Sequence, residues 1–186
     1  MELLTAANQL TLLRLLLVPV FAICMLYGLP GWALVTFAVA AVTDLLDGLI
    51  ARWTGQLTTL GAWLDPMADK LLLLTMFVML SLPGVAPNRL PVWLTVLVIS
   101  RDVGIVLTVA VVNLAVARRT FRPSLLGKTA TATFLATGVC TLWANYLNER
   151  SAIVDVCVYA SLAITLASGA EYALRVIRVG PAPPSS

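Results

Sequence analysis

Four aspartates share a window of 26 residues in an otherwise apolar part of the chain: Asp44, Asp47, Asp65 and Asp69. An unpaired aspartate at the centre of a membrane helix costs roughly 2.5 to 3.5 kcal/mol, so this group needs cations to offset its charge. The chain contains no histidine, which excludes imidazole zinc sites and Ser-His-Asp triads. Clustered carboxylates are hard oxygen ligands, and they suit Mg²⁺, Mn²⁺ or Ca²⁺.

The elements that carry these aspartates are predicted to be membrane helices. Of 186 residues, 60% are hydrophobic and 11% are charged, and the mean hydropathy is +0.97, which indicates an integral membrane protein. Apolar runs of about 20 residues predict an all-α, polytopic fold with six transmembrane helices. The runs lie near residues 10–28, 31–53, 60–82, 91–117, 125–147 and 152–177. We expect residues 1–179 to form a single membrane domain and residues 180–186 a disordered tail.

The positive charges predict the orientation. Glu2 is the one charge before Asn8, so we expect the N-terminus to be retained and not cleaved as a signal peptide. With a cytoplasmic N-terminus the inside loops and helix ends carry eight Lys and Arg and the outside ones carry two, as the positive-inside rule requires. The eight are Arg14, Arg52, Arg118, Arg119, Arg122, Lys128, Arg175 and Arg178. Both termini then lie in the cytoplasm, in an inner or plasma membrane protein.

This orientation predicts an active-site cavity between helices 2 and 3 that faces the cytoplasm. Asp44 and Asp47 lie about 60° apart around one helix and Asp65 and Asp69 about 40° apart around the next, so four acids can converge. The cations do not form a stripe with aromatic residues between them, which argues against a nucleic-acid partner.

Small residues and one arginine accompany the acids. Gly48 and Ala51 share the face of Asp44, and Gly61 lies one turn before Asp65, which leaves room for a bulky ligand. Close helix packing is the alternative, and it explains Gly61 nearly as well. Arg52 lies at the mouth of the predicted cavity, where a phosphate or diphosphate is its natural partner. An interfacial arginine that reaches toward water is the alternative.

Together these positions form the pattern D-x2-D-G-x2-A-R-x8-G-x3-D-x3-D over residues 44–69, which resembles the signature of the CDP-alcohol phosphotransferase family. The resemblance implies transfer of a substituted phosphoryl group from a CDP-linked donor, usually CDP-diacylglycerol, to an alcohol, with release of CMP. It also implies a homodimer and a two-ion Mg²⁺ or Mn²⁺ site on Asp44, Asp47 and Asp65, with Asp69 near enough to ligate and to act as general base. The implied CDP-binding residues are Asp44, Asp47, Gly48, Ala51, Arg52, Gly61 and Asp65.

Two further segments bear on the acceptor. The run N-x2-T-x2-R over residues 8–14 is similar to the opening of phosphatidylglycerophosphate and cardiolipin synthases of this family, although a helix cap followed by an interfacial arginine explains it equally well. Arg101 follows an apolar run and needs a partner such as Asp102 or a bound phosphate. With Lys128 it forms the expected acceptor-binding pair. The Arg-Asp sequence and the surroundings of Lys128 resemble cardiolipin synthases more closely. We therefore expect a glycerol-type acceptor, glycerol 3-phosphate or phosphatidylglycerol, and favour the second.

Other functions remain open at this point. Another phosphatidyltransferase with inositol phosphate or serine as acceptor would share the signature. A cation transporter would also use intramembrane carboxylates. Transport does not explain the small residues and Arg52 at fixed intervals from the acids, and the sequence shows no internal repeat typical of transporters. Release of CMP from CDP-diacylglycerol separates an enzyme from a transporter.

Overall fold

The computed structural model describes residues 6–54, 59–115 and 125–178, and within them the secondary structure consists of helices and the turns between them, with no strand. One helix corresponds to each of the six predicted apolar runs, so the predicted helices are confirmed. In chain order the helices are α1 (Ala6–Leu26), α2 (Pro30–Thr54), α3 (Thr59–Ser81), α4 (Val92–Ala115), α5 (Leu125–Tyr146) and α6 (Ala152–Arg178). The predicted tail, residues 180–186, lies outside the described residues.

Two helix ends are closed by the same backbone motif. After α1, the Gly28 amide donates to the Met25 carbonyl at 3.1 Å and the Leu29 amide donates to the Cys24 carbonyl at 2.9 Å, with Gly28 at a φ of 68°. This is a Schellman motif, which favours glycine because a Cβ is strained at positive φ. Pro30 then begins α2, where its missing N–H leaves no helix bond unmade. Asn148, at a φ of 54°, closes α5 in the same way.

The chain divides into two compact units. The first comprises Met1–Leu90 and Gly138–Ser151, and the second comprises Pro91–Thr137 and Ala152–Ser186. Helix α5 therefore contributes its C-terminal part to the first unit and its N-terminal part to the second. The expectation of a single domain over residues 1–179 stays a prediction.

In the first unit, α1 packs against both α2 and α3. The core combines bulky residues, such as Phe21 and Phe37 with ring centroids 6.0 Å apart, with the fully buried alanines Ala33, Ala40 and Ala68. Small residues allow helix backbones to approach closely. This close packing brings one face of α1 against the parts of α2 and α3 that carry the acids.

The same unit contains a polar cluster at the end of α5. Asn145, which is buried, accepts a hydrogen bond from the Asn88 backbone amide at 2.8 Å and donates to the Asn88 carbonyl at 3.1 Å. The Asn88 side chain donates in turn to the Glu149 carbonyl at 2.7 Å. These bonds satisfy buried polar groups of the segment between α3 and α4, and so they hold that segment on α5.

In the second unit, α4 contacts α6, and the N-terminal part of α5 joins α6 through hydroxyl groups. Thr137 and Ser161 are both fully buried, and their hydroxyl oxygens lie 2.7 Å apart. Thr137 also donates to the Cys157 carbonyl at 3.2 Å. Hydroxyl contacts of this kind join helices in apolar surroundings.

The outer surfaces of the helices are apolar. Large side chains such as Leu16, 66% exposed, and Val156, 67% exposed, face outward. Among the described residues, two segments are long and apolar enough to cross a membrane, Gln9–Leu26 in α1 and Ala152–Glu171 in α6, while the apolar part of α2, Pro30–Asp44, is shorter. These features support membrane association.

Candidate active site

The site is built on matching faces of α1 and α3. Thr11 and Arg14 lie one turn apart on α1, and Asp65 and Asp69 lie one turn apart on α3. The two helices run in the same direction at this point, because Thr11 contacts Asp65 while Arg14 contacts Asp69. In the first pair the Thr11 hydroxyl donates to Asp65 Oδ1. In the second, Arg14 Nη1 donates to Asp69 Oδ1 at 2.6 Å.

Arg14 also reaches the second helix that carries acids. Its Nη2 lies 3.0 Å from Oδ1 of Asp44 on α2, so one guanidinium joins carboxylates from α2 and α3. The Arg14 side chain is fully buried, whereas the side chains of Asp44 and Asp69 are 42% and 48% exposed. The cation thus lies on the inner side of the pair, and the two carboxylates remain accessible from outside.

The structure therefore brings Asp44, Asp65 and Asp69 to one face of α1. The remaining predicted residues of the signature lie on the same two helices, at positions 47, 48, 51 and 52 of α2 and position 61 of α3. Their side chains lie outside the described part of the chain: Asp47, Gly48, Ala51, Arg52 and Gly61. Their roles stay predictions.

The donor set has the chemistry that a divalent metal ion requires. The described candidate ligands are carboxylate oxygens, which Mg²⁺ and Mn²⁺ prefer, and two of the three carboxylates are open to incoming ligands. Within the described residues, no three acidic or thiol side chains lie close enough to hold an ion by themselves. Asp47 or oxygen atoms of a substrate would have to complete the coordination shell. With such additional ligands, the described carboxylates fit a divalent metal ion.

The predicted acceptor residues lie in the second unit. Arg101 Nη1 lies 2.8 Å from Oδ1 of Asp102, one of the two partners that the sequence left open, and its Nη2 donates to the Gly127 carbonyl at 3.2 Å. The guanidinium carbon lies 6.0 Å from the ring centroid of Phe134. Arg101 thus joins α4 to the first turns of α5, next to the exposed Lys128.

Comparison with known proteins identifies the family of this chain. Residues 4–167 match the family model for CDP-alcohol phosphatidyltransferases. The chain belongs to the CDP-alcohol phosphatidyltransferase family. The members of this family are enzymes. Family membership therefore argues against the alternative function of a cation transporter. Members of this family are membrane proteins and generally depend on a divalent metal ion.

The relatives within this family carry two names. A probable phosphatidylglycerophosphate synthase of Mycobacterium tuberculosis is 38% identical over 181 residues, which cover 92% of this chain and 81% of that protein. The human cardiolipin synthase (CMP-forming) is 33% identical over 195 residues, which cover 94% of this chain and 64% of that protein. A Streptomyces coelicolor cardiolipin synthase (CMP-forming) is 36% identical over 137 residues, which cover 69% of this chain and 60% of that protein.

Sequence reasoning missed the position of Arg14 among the signature acids of this phosphatidyltransferase. It counted Arg14 among the inside charges and considered an interfacial position, but the side chain is fully buried and joined to two of the signature acids. The available signal was the spacing of residues 11 and 14, which places a hydroxyl and a guanidinium on one helix face. No local pattern shows that this face meets Asp65 and Asp69, which lie 54 and 55 residues further along the chain from their respective partners.

Proposed function

We propose that this protein transfers a phosphatidyl group from CDP-diacylglycerol to a glycerol-type alcohol and releases CMP, as a step of phospholipid biosynthesis. The observation that carries the proposal is the position of the signature acids. Asp44 and Asp69 come from two helices to one buried guanidinium, and their carboxylates stay half-exposed. A substrate can therefore approach acids that the interior of the unit already holds in place.

The reaction requires attack on the phosphorus that carries the diacylglycerol. The acceptor oxygen bonds to this phosphorus, the bond to the bridging oxygen of the diphosphate breaks, and CMP leaves with that oxygen. The hydroxyl proton of the acceptor passes to a carboxylate oxygen of Asp69, the proposed general base. Arg14 holds Asp69 through Oδ1 and so fixes the direction in which the carboxylate faces.

The proposed metal ligands are Asp44, Asp47, Asp65 and Asp69, which would hold two Mg²⁺ or Mn²⁺ ions. When bound, these ions supply neutralisation of the diphosphate and of the CMP leaving group. Asp44, Asp47 and Asp65 also face the CDP part of the donor in this proposal. Gly48, Ala51 and Gly61 leave space for it, and Arg52 binds its phosphate.

The membrane arrangement follows from the donor. Its acyl chains stay in the lipid while its head group must reach the carboxylates. We infer six membrane spans, cytoplasmic termini and a cavity between α2 and α3 that opens to the cytoplasm, as the positive-inside count favours. A homodimer is inferred from family resemblance.

Two acceptors are proposed, each on its own observation. The higher identity to the M. tuberculosis phosphatidylglycerophosphate synthase favours glycerol 3-phosphate. The Arg101–Asp102 pair favours phosphatidylglycerol, because Arg-Asp at this position resembles cardiolipin synthases. Both acceptors carry a phosphate group, for which Arg101 and Lys128 are the proposed ligands.

The reaction is tested with purified protein in detergent, CDP-diacylglycerol and Mg²⁺ or Mn²⁺. The acceptors are glycerol 3-phosphate, phosphatidylglycerol, inositol phosphate and serine, and both CMP and the lipid product are measured. We expect CMP and a new lipid with one of the two glycerol-type acceptors, and loss of both products when the metal is chelated. If no acceptor gives CMP with either metal, the proposed function is wrong.

Asp69→Asn tests the site within this assay, with Asp155→Asn as the matched control, since Asp155 is an exposed acid in the first turn of α6. Asp69→Asn should retain binding of CDP-diacylglycerol and lose turnover, whereas Asp155→Asn should keep wild-type turnover. Wild-type turnover by Asp69→Asn would exclude Asp69 as the base.

A further inference from the structure

Arg14 has a different environment from the acids that it joins. Its side chain is completely buried, but the two carboxylates that contact it are about half exposed. A buried charge is costly unless a partner offsets it, so Asp44 and Asp69 offset the desolvation of Arg14 inside the first unit. The acids depend on Arg14 less, because water already solvates part of each carboxylate. Arg14 therefore ties the acids to the interior.

The face of α1 contacts every described acid of the signature. Arg14 contacts Asp44 and Asp69, and Thr11, also fully buried, contacts Asp65. A guanidinium suits this position because its planar fork reaches two carboxylates on different helices at once, which a single ammonium group cannot do with the same geometry. Three carboxylates and one guanidinium leave two formal negative charges, which one divalent cation would neutralise.

We propose that Arg14 is a positioning residue that acts as the internal counter-ion of the carboxylates and opposes the divalent metal ion for the same oxygens. This inference rests on the proposed metal-dependent function. Arg14 then lowers the affinity of the site for the metal ion, because a monovalent and a divalent cation repel each other. At a separation of about 5 Å in water, this repulsion corresponds to roughly a tenfold loss of affinity. Arg14 keeps the carboxylates together when metal is scarce and weakens metal binding when it is present.

The test measures metal binding and stability instead of turnover. Wild-type protein and Arg14→Gln are compared in detergent, with Mn²⁺ binding followed by electron paramagnetic resonance and melting followed with chelator or with saturating Mn²⁺. We expect Arg14→Gln to melt at a lower temperature than wild type in chelator. Saturating Mn²⁺ should raise its melting temperature more than it raises that of wild type, and Mn²⁺ should bind about tenfold more tightly. Equal or weaker Mn²⁺ binding by Arg14→Gln would overturn the inference.

Two further variants separate charge from geometry and from general destabilisation. Arg14→Lys keeps the charge, so its Mn²⁺ affinity should stay within about threefold of wild type although its melting temperature falls. It also serves if Arg14→Gln does not fold, and a tenfold change in its Mn²⁺ affinity would contradict the counter-ion role. Arg101→Gln removes an arginine paired with Asp102 and should lower the melting temperature. The increase in melting temperature that Mn²⁺ produces should be the same as in wild type. An increased gain in this control would equally contradict a specific role for Arg14.

The outcomes for the inference and for the proposed function differ. Wild-type protein that binds Mn²⁺ and releases CMP, together with an Arg14→Gln variant of unchanged Mn²⁺ affinity, overturns the Arg14 inference alone. Wild-type protein that neither binds Mn²⁺ nor releases CMP overturns the metal-dependent function, and the counter-ion role with it.

Discussion

Arg14 and Arg101 both place a guanidinium among apolar helices, but their partners lie at different distances along the chain. Arg14 of the first unit pairs with Asp44 on α2 and Asp69 on α3. Arg101 of the second unit pairs with Asp102, its neighbour on the same helix, and keeps 12% of its side chain exposed. The first arrangement joins three helices, whereas the second is an adjacent pair supplemented by a carbonyl contact from α5.

The different partners indicate that the two arginines have different roles in this protein. Without a metal ion, removal of Arg14 would leave the Asp44 and Asp69 carboxylates to repel each other, because no local backbone geometry holds Asp44 near Asp69. Arg101 and Asp102 lie on the same helix, so no particular packing of α4 against another helix is needed to bring these two residues near each other. We therefore expect the first site to couple stability to activity and the second to affect mainly the acceptor.

The largest expected effect distinguishes the acids of the two sites. Asp69→Asn should lower kcat by about 10² to 10⁴-fold, the range for loss of a general base. Asp102→Asn should instead raise the acceptor KM several-fold and change kcat little, because it loosens the ion pair of Arg101. Steady-state CMP release at varied acceptor concentration measures both. A kcat loss in Asp102→Asn as large as that in Asp69→Asn would remove the distinction.

The next effect concerns the strength of the two ion pairs. A double-mutant cycle on Arg14→Gln and Asp69→Asn should give a coupling free energy of about 2 kcal/mol, below the range for fully buried pairs because Asp69 is half-exposed. The cycle on Arg101→Gln and Asp102→Asn should give about 1 kcal/mol or less, because Arg101 has further contacts with the Gly127 carbonyl and the Phe134 ring. Equilibrium unfolding in detergent with chelator measures both cycles. Equal coupling free energies in the two pairs would show that an ion pair between different helices contributes no more to stability than a pair within one helix.

Thr11 provides a smaller and more local test of the α1 face. Thr11→Val removes a buried hydroxyl that donates to a carboxylate, so the free energy of unfolding should fall by about 1.5 kcal/mol. Thr133→Val is the matched control, because Thr133 donates to the Thr129 carbonyl of its own helix at 2.8 Å. Its loss should be under about 0.5 kcal/mol. Equal losses in the two variants, from the same unfolding measurement, would show that the Asp65 contact contributes little.

The smallest expected effect is Arg101→Lys. An ammonium group can still pair with Asp102, so we expect the free energy of unfolding to fall by only about 0.5 kcal/mol, mainly from the lost contact with the Gly127 carbonyl. The acceptor KM should rise by a few fold. A loss above about 2 kcal/mol, or no change in KM, would mean that Arg101 serves the packing of α4 on α5 and not the acceptor.

Much of this protein could be predicted from local sequence. Apolar runs of about 20 residues specified the six helices, because in an apolar environment a helix satisfies all backbone hydrogen bonds within one segment. The spacing of Asp44, Asp65 and Asp69 indicated the site and its family, since residue spacing on a helix determines which side chains share a face. Asp102 was also one of the two partners that the sequence left open for Arg101, because the two charges are neighbours in the chain.

The sequence by itself thus determined the helices, the candidate acids of the site and the family to which the chain belongs. Only the tertiary structure decided which cation meets the acids, because contacts across 54 and 55 residues depend on how α1 packs against α3 and leave no periodic signal in either helix. Arg14 was available in the sequence as one charge among several. Its burial between Asp44 and Asp69 follows from the packing of three helices, which brings the guanidinium out of water and onto the two carboxylates that offset its charge.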